Sequence, residues 1–338
     1  MRAIKSQQAK ITTENGIEKI EYLELGGIKQ RIMIRGEDQK NPVILFLHGG
    51  PGNPILSYAS YMQKGLEDDY TFVHWEQRGC GDTYYKNIYA DVTEELLMTD
   101  LDELVDILRE RFQKNKIIIM GHSWGTVLGT QYCKEHPEKV LAYIGTGQVI
   151  DFTKGTILAS NQAIDQALQA GNDEDVNKLK QYLEEYQNHS DYENIDWNNF
   201  DHLKELQSKY LSSQNRMSFT EQMYLFLMDK ATNFNEARWA IMKRDKFAKI
   251  EKNLEKYLFN IFHVDELGYE YTVPFYLIEG DTDWVSPYPL VQEFYKKVQA
   301  PEKQLYMVKD SGHSLFMEQQ EQFQTVMEEI KDKLSVIE

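Results

Sequence analysis

Apolar and polar positions along the chain fall into two regimes, strand-like at both ends and helical between them. Ile17 to Leu25 and Lys29 to Arg35 flank Gly26-Gly27, the pattern of two strands joined by a tight hairpin turn. Val43 to Leu47 is an unbroken apolar run, as expected where helices cover both faces of a sheet. Tyr70 to Trp75 reads as another strand. Leu97, Leu101, Leu104, Val105 and Leu108 then recur at helical spacing, which predicts a helix over 94–113. Ile117 to Met120 is a further buried strand, and a helix follows from Trp124 to about His136, ended by Pro137. Val140 to Gly145 is the next strand.

From Asp151 to Tyr269 strand-like runs vanish and the period is helical, as in Asp173–Gln187 and Glu221–Lys230. Met217, Phe219, Met223, Tyr224, Phe226, Leu227 and Met228 form an apolar cluster there. Such a cluster is read as the packing face of helices, part of which roofs a pocket. Strand signals return at Val273–Glu279, followed by a helix at Leu290–Val298, a strand at Gln304–Val308 and a helix from Ser314 to Leu334. A βα series interrupted by helices and then resumed implies one open, mostly parallel α/β sheet. The expected division is a first part of the core over 1–150, a helical cap over 151–269 and a second part of the core over 270–338.

Charge narrows the partners. Thirty-seven basic against 54 acidic residues leave a formal charge of −17, which repels phosphate backbones and anionic lipid surfaces. Nucleic acid and membrane partners are therefore not expected. Cys80 and Cys133 are the whole cysteine complement, so neither a disulfide framework nor a cysteine-only zinc site is expected. No HExxH occurs, since Lys134-Glu-His-Pro137 lacks the first histidine, so a metallopeptidase with its bound metal is not expected. The amino terminus has no apolar stretch like a signal peptide, and Val43–Leu47 is too short to cross a bilayer. A soluble, cytoplasmic protein is the expectation. Oligomeric state is left open.

The chemistry-bearing residues sit at strand ends. Gly121-His122-Ser123-Trp124-Gly125 is a G-x-S-x-G segment between a strand and a helix, the context in which a serine hydroxyl is pushed outward as a nucleophile. A serine needs a base, and His313 lies between the last strand and the last helix, at the same edge of the sheet. His122 would have to fold back on its neighbour. Asp281 and Asp283 both follow the strand Val273–Glu279, and Asp283 is favoured because the chain must turn before a side chain reaches sideways to the base. The order Ser, Asp, His along the chain fits. Two N–H donors are needed for an oxyanion, one from Trp124 and one from the glycine-rich loop His48-Gly-Gly-Pro-Gly52, with Gly50 preferred over Gly49. Arg78 reads as a residue that pins loops rather than one that touches substrate. The expected mechanism is attack by Ser123 on an ester or amide carbonyl, with His313 taking the proton, and then hydrolysis of the acyl-enzyme.

His48-Gly-Gly-Pro-Gly52, Gln77-Arg-Gly-Cys-Gly81 and Gly121-His-Ser-Trp-Gly125 together resemble the proline iminopeptidase family of α/β hydrolases, and Gly280–Pro287 and Ser311-Gly-His-Ser314 fit it too. The resemblance implies the α/β-hydrolase fold, an eight-stranded sheet with a helical cap, and a cofactor-free hydrolase releasing N-terminal proline from peptides. Many such peptidases carry a Trp-Glu pair in the cap, where acidic groups bind the substrate's ammonium. Here Trp197 and Trp239 are not followed by Glu, and Glu221 and Glu236 are the substitutes that the resemblance suggests. Short peptides lead as substrates, small hydrophobic esters or lactones follow, and a non-catalytic binding protein of the same fold is the third reading.

Overall fold

The apolar runs become the buried centre of one eight-stranded sheet in the computed structural model, which describes residues 10–242 and 244–335. Residues 1–9, on which much of the reading of the amino terminus rests, lie outside the described residues. The strands are β1 (Ile17–Leu25), β2 (Ile28–Gly36), β3 (Val43–Leu47), β4 (Thr71–Glu76), β5 (Ile117–His122), β6 (Val140–Thr146), β7 (Phe275–Gly280) and β8 (Lys303–Val308). They lie in the order β1-β2-β4-β3-β5-β6-β7-β8. The hairpin β1–β2 and the pair β2–β4 are antiparallel, and every later pairing is parallel. The α/β class and the mostly parallel sheet are as expected.

Side chains alternate across each strand, so the continuous run of β3 feeds two cores at once. Leu45 and Leu47 face one side with Leu101, Leu104 and Val127. Ile44 and Phe46 face the other with Phe323, Met327 and Ile330. Each such side chain, fully buried, stabilises the fold by about 1.5–3 kcal/mol.

The connections are helical. The short α1 (Leu56–Met62) and α2 (Gly81–Lys86) follow β3 and β4, and neither was expected. They are too brief to show a helical period. The long α3 (Glu94–Phe112) starts where the Thr93 hydroxyl accepts a hydrogen bond from the Leu96 N–H, and α4 (Trp124–Glu135) follows β5. Among the described residues, six α-helices and a short 3-10 turn (Val264–Leu267) lie between β6 and β7: α5 (Phe152–Gln169), α6 (Asp173–Asn188), α7 (Trp197–Leu211), α8 (Phe219–Met228), α9 (Phe234–Ala240) and α10 (Arg244–Asn260). Beyond β7 come α11 (Tyr288–Lys297), α12 (Leu315–Glu318) and α13 (Gln320–Ser335), so the final helix is broken at Gln319. The apolar cluster of α8 divides. Leu225 and Phe226 are buried and Met217 borders a cavity, whereas Phe219, Leu227 and Met228 are exposed.

Two carboxyl groups meet beneath the loop after β3. Arg31 of β2 pairs with Glu236 at 3.0 Å and lies 3.6 Å from Glu76. Nearby, Glu251 of α10 is fully buried beside Gly79, and both its carboxyl oxygens lack a hydrogen-bond partner among the described residues. Burial, with the Glu255 charge second, pushes the Glu251 carboxyl well above the usual range, so its neutral form is favoured in the folded protein. The folded state therefore holds a proton that the unfolded chain releases near pH 4.3 or so, roughly the ordinary glutamate value. This contribution to stability is complete below that pH and is lost as pH rises toward the raised value. Glu251→Gln removes the titration. Scanning calorimetry should show the variant gaining about 1–3 °C in Tm over the parent between roughly pH 5 and pH 8. A difference independent of pH would refute it.

Candidate active site

At the end of β5 the chain turns sharply into α4, and Ser123 occupies the turn with φ +52° and ψ −120°. A left-handed φ costs a non-glycine residue roughly 1–2 kcal/mol, so its surroundings must enforce it. They do so from both sides. The Ser123 N–H donates to the Thr146 carbonyl of β6 at 3.0 Å, and the Ser123 carbonyl accepts from the Thr126 N–H at 2.8 Å and hydroxyl at 2.7 Å. Gly125 permits the close contact, because a Cβ there would overlap the Leu47 carbonyl of β3.

His313 and Asp283 arrive from the loops after β8 and β7. The Nδ1 of His313 lies 2.8 Å from Oδ2 of Asp283, whose other oxygen accepts the Val285 and Ser286 N–H groups at 2.8 and 3.1 Å. A carboxylate so bonded selects the Nδ1–H tautomer and leaves Nε2 with its lone pair free to act as a base. Asp281 has a different task. Its Oδ1 accepts the Ser311 N–H at 3.3 Å and so steadies the histidine loop. His122 packs against the His313 ring at 4.8 Å between centroids, and burial holds it well below the ordinary histidine range, so it stays neutral. Ser123 and His313 open onto one cavity of about 620 Å³, with no hydrogen bond between hydroxyl and imidazole among the described residues. Such bonds commonly tighten only when substrate is bound.

Gly50 and Trp124 flank the serine. With Ser123 they line a second cavity of about 90 Å³. Trp124 is the first residue of α4, so its N–H has no carbonyl one turn back to bond. The glycine-rich loop is anchored by His48, whose Nδ1 meets the Gly49 carbonyl at 2.8 Å and whose Nε2 accepts the Gln77 N–H at 3.3 Å. Arg78 does pin loops: it grips Asp100 at 2.7 and 2.9 Å and donates to the Gly26 carbonyl at 3.1 Å.

The two cap glutamates do not join this group. Glu221 closes a capping box at the start of α8, its carboxylate accepting the Ser218 N–H at 2.9 Å. Glu236 is buried against Arg31 at 3.0 Å, and neither residue lines either cavity. The residues that do line the larger cavity from the segment between β6 and β7 include Lys204 and Gln207 of α7, Arg216 and Met217 of the connection that follows it, and Gln222 of α8. Among the described residues no group of three or more histidine, cysteine or acidic side chains is arranged to hold a metal. No helix of the described chain is long and apolar enough to cross a membrane.

The sequence reading also missed Gly147. At φ +56°, it lies flat against the imidazole, and a Cβ there would sit 2.7 Å from Cε1 of His313. Its loop is fixed by Glu279, whose carboxyl accepts the Gln148 N–H at 2.8 Å. A glycine just past the end of a central strand was the available signal.

The pattern of the alpha/beta hydrolase fold matches residues 42–320. The chain belongs to that family. As an α/β hydrolase it is 28% identical over 312 residues to the probable aminopeptidase YbaC of Bacillus subtilis (strain 168), spanning 91% of this chain and 95% of that one. It is 33% identical to the proline iminopeptidase of Neisseria gonorrhoeae over 131 residues, 37% of this chain and 39% of the relative. The crystal structure of the Mycobacterium smegmatis proline iminopeptidase superposes with a TM-score of 0.63 at 15% identity, covering 94% of this chain and 99% of that one, a likeness of fold.

Gly147→Ala puts a methyl group where the imidazole sits and adds strain to a backbone held at φ +56°. Displacements of about 1 Å in a reacting constellation cost on the order of 10²-fold. The kcat/KM for a short acyl arylester should fall by about that factor with an unchanged circular dichroism spectrum. Full activity in the variant would rule out a role for this contact.

Proposed function

We propose that the chain is a serine hydrolase that releases a small N-terminal residue, proline foremost, from short peptides through an acyl-enzyme. The observation that carries the reading is the convergence of the strained Ser123, the His313–Asp283 pair and the Gly50–Trp124 backbone at one edge of the sheet. Nε2 of His313 takes the Ser123 proton as the hydroxyl attacks the amide carbonyl. The Gly50 and Trp124 N–H groups stabilise the oxyanion, helped by the positive end of α4. His313 returns the proton to the leaving amine, and then activates water to release the acyl residue.

The small cavity supports a compact acyl residue. It adjoins Ser123 and the two N–H donors and has apolar walls from Val149, Ile150, Phe152, Leu258 and Leu290. The relatives named as an aminopeptidase and a proline iminopeptidase support the amide reading. Cleavage of small esters is the second reading. It is favoured by the position of Glu221 and Glu236 outside both cavities, which leaves Asp151 as the carboxylate lining the small one, its oxygens already bonded to the Lys154 N–H at 2.8 Å and to His263 Nδ1 at 2.9 Å.

Ser123→Ala should abolish covalent labelling by a fluorophosphonate and turnover of a proline arylamide. Asp283→Asn should leave labelling detectable but lower kcat by about 10⁴-fold, since the imidazole loses its tautomer. Labelling that persists in Ser123→Ala would refute the assignment. Rapid hydrolysis of acyl arylesters with no arylamide cleavage would replace the first reading by the second.

A further inference from the structure

The larger cavity carries a charge of the wrong sign for an acidic protein and for an ammonium-binding pocket. Helix α7 buries Phe200, Leu203, Gln207 and Leu211, and Lys204 lies at the edge of that stripe, on the cavity wall. Its ammonium donates to Gln207 Oε1 at 2.9 Å and stands over the rings of Phe152 and Phe200, at 5.6 and 5.7 Å from their centroids. Among the described residues no carboxylate pairs with it. Arg216 borders the same cavity and donates only to the Ser208 and Ser212 hydroxyls, at 3.1 and 3.4 Å. Glu318 is the one carboxylate among the described lining residues, and its Oε2 is taken by the Gly312 N–H at 2.8 Å.

We propose that Lys204, with Arg216 beside it, binds a carboxylate of the substrate, and that the larger cavity takes the carboxyl-terminal side of a very short peptide. The inference rests on Ser123 being the nucleophile, since that fixes where the peptide is cut. Gly50, Ser123 and Val285 border both cavities, so the small one holds the acyl residue and the large one the leaving amine. Phe152 links the two spaces, lining the small cavity while its ring lies beneath the Lys204 ammonium. An ammonium in this position has lost water without gaining a counter-ion, and burial lowers its pKa to about 8, so at neutral pH most of it is still charged. A carboxylate arriving there forms charge-assisted hydrogen bonds that replace the missing hydration. An extended peptide chain would need its carboxylate further out, so dipeptides and tripeptides are preferred.

The test compares prolyl-alanine with prolyl-alaninamide, which differ only in the terminal carboxylate. In the parent enzyme kcat/KM should favour the free acid by about 10- to 100-fold. Lys204→Met should bring that ratio close to one, and Lys204→Arg, which keeps the charge, should retain most of it. Calorimetric binding of both peptides to Ser123→Ala protein gives the same ratio without catalysis. Equal binding of the two peptides by the Ser123→Ala protein, with the parent enzyme labelled by fluorophosphonate at Ser123, would overturn this inference and leave the serine-hydrolase reading standing. Absence of labelling, with a binding preference that Lys204→Met abolishes, would overturn the serine-hydrolase reading and with it the assignment of the larger cavity to the leaving side, leaving Lys204 as a carboxylate-binding residue. Glutaryl and butyryl arylesters test the other side of the cut: a glutaryl preference lost in Lys204→Met would place the carboxylate on the acyl group and overturn the assignment of the larger cavity.

Discussion

The close packing of β5, the turn at Ser123 and α4 against the end of β3 is the constraint on which the site depends. A side chain at Gly125 would collide with the Leu47 carbonyl, so the helix reaches the sheet only because that position lacks one. The contact brings the start of α4 next to the loop that leaves β3. Trp124 and Gly50 thereby come to flank a serine whose own backbone is held in an unfavourable conformation by Thr146 and Thr126. Strain at residue 123 is offset by ordinary sheet and helix hydrogen bonds.

A second constraint is electrostatic. Many ionisable groups are buried near this edge, and most are held neutral. Burial lowers His48 to about 4 and His122 well below its ordinary range, and it raises Glu279, with the charge of Asp283 adding to the effect. Asp283, with three hydrogen-bond donors around it, is thus the carboxylate whose charge bears directly on His313. A protonated Glu279 can steady the Gly147–Gln148 turn without adding a second negative charge behind the imidazole. Neutral neighbours let one carboxylate–imidazole hydrogen bond govern the base.

The core of this site was legible because its signals are local. A continuous apolar run names a central strand, and a serine between glycines at a strand–helix junction names its own backbone conformation, which φ +52° bears out. The position of Asp283 beside His313 follows from the same edge rule. What could not be read is tertiary. Arg31 and Glu236 meet across 205 residues, and no local pattern announces that pairing. Lys204 looks like any solvated lysine on an amphipathic helix until Phe152 and Phe200 are packed beside it. Glu221 is different, because Ser218 followed three residues later by Glu is itself a helix-start signature. That local signal outweighs a role inferred by resemblance.

The negative charge of the whole chain and the cations of the larger cavity act over different ranges. At physiological salt the Debye length is about 8 Å, so the −17 of the protein weakens quickly with distance and mainly affects encounter. Inside the cavity, the half-buried Lys204 stands over the rings of Phe152 and Phe200, and a contact there is worth more than the same contact on the open surface. An anionic substrate is therefore not excluded by an acidic surface, because recognition is set by the few ångströms around the ammonium. On the proposed function this separates two choices. The apolar walls of the small cavity select the acyl residue, the Lys204 side selects what leaves, and Ser123 lies on the border between them.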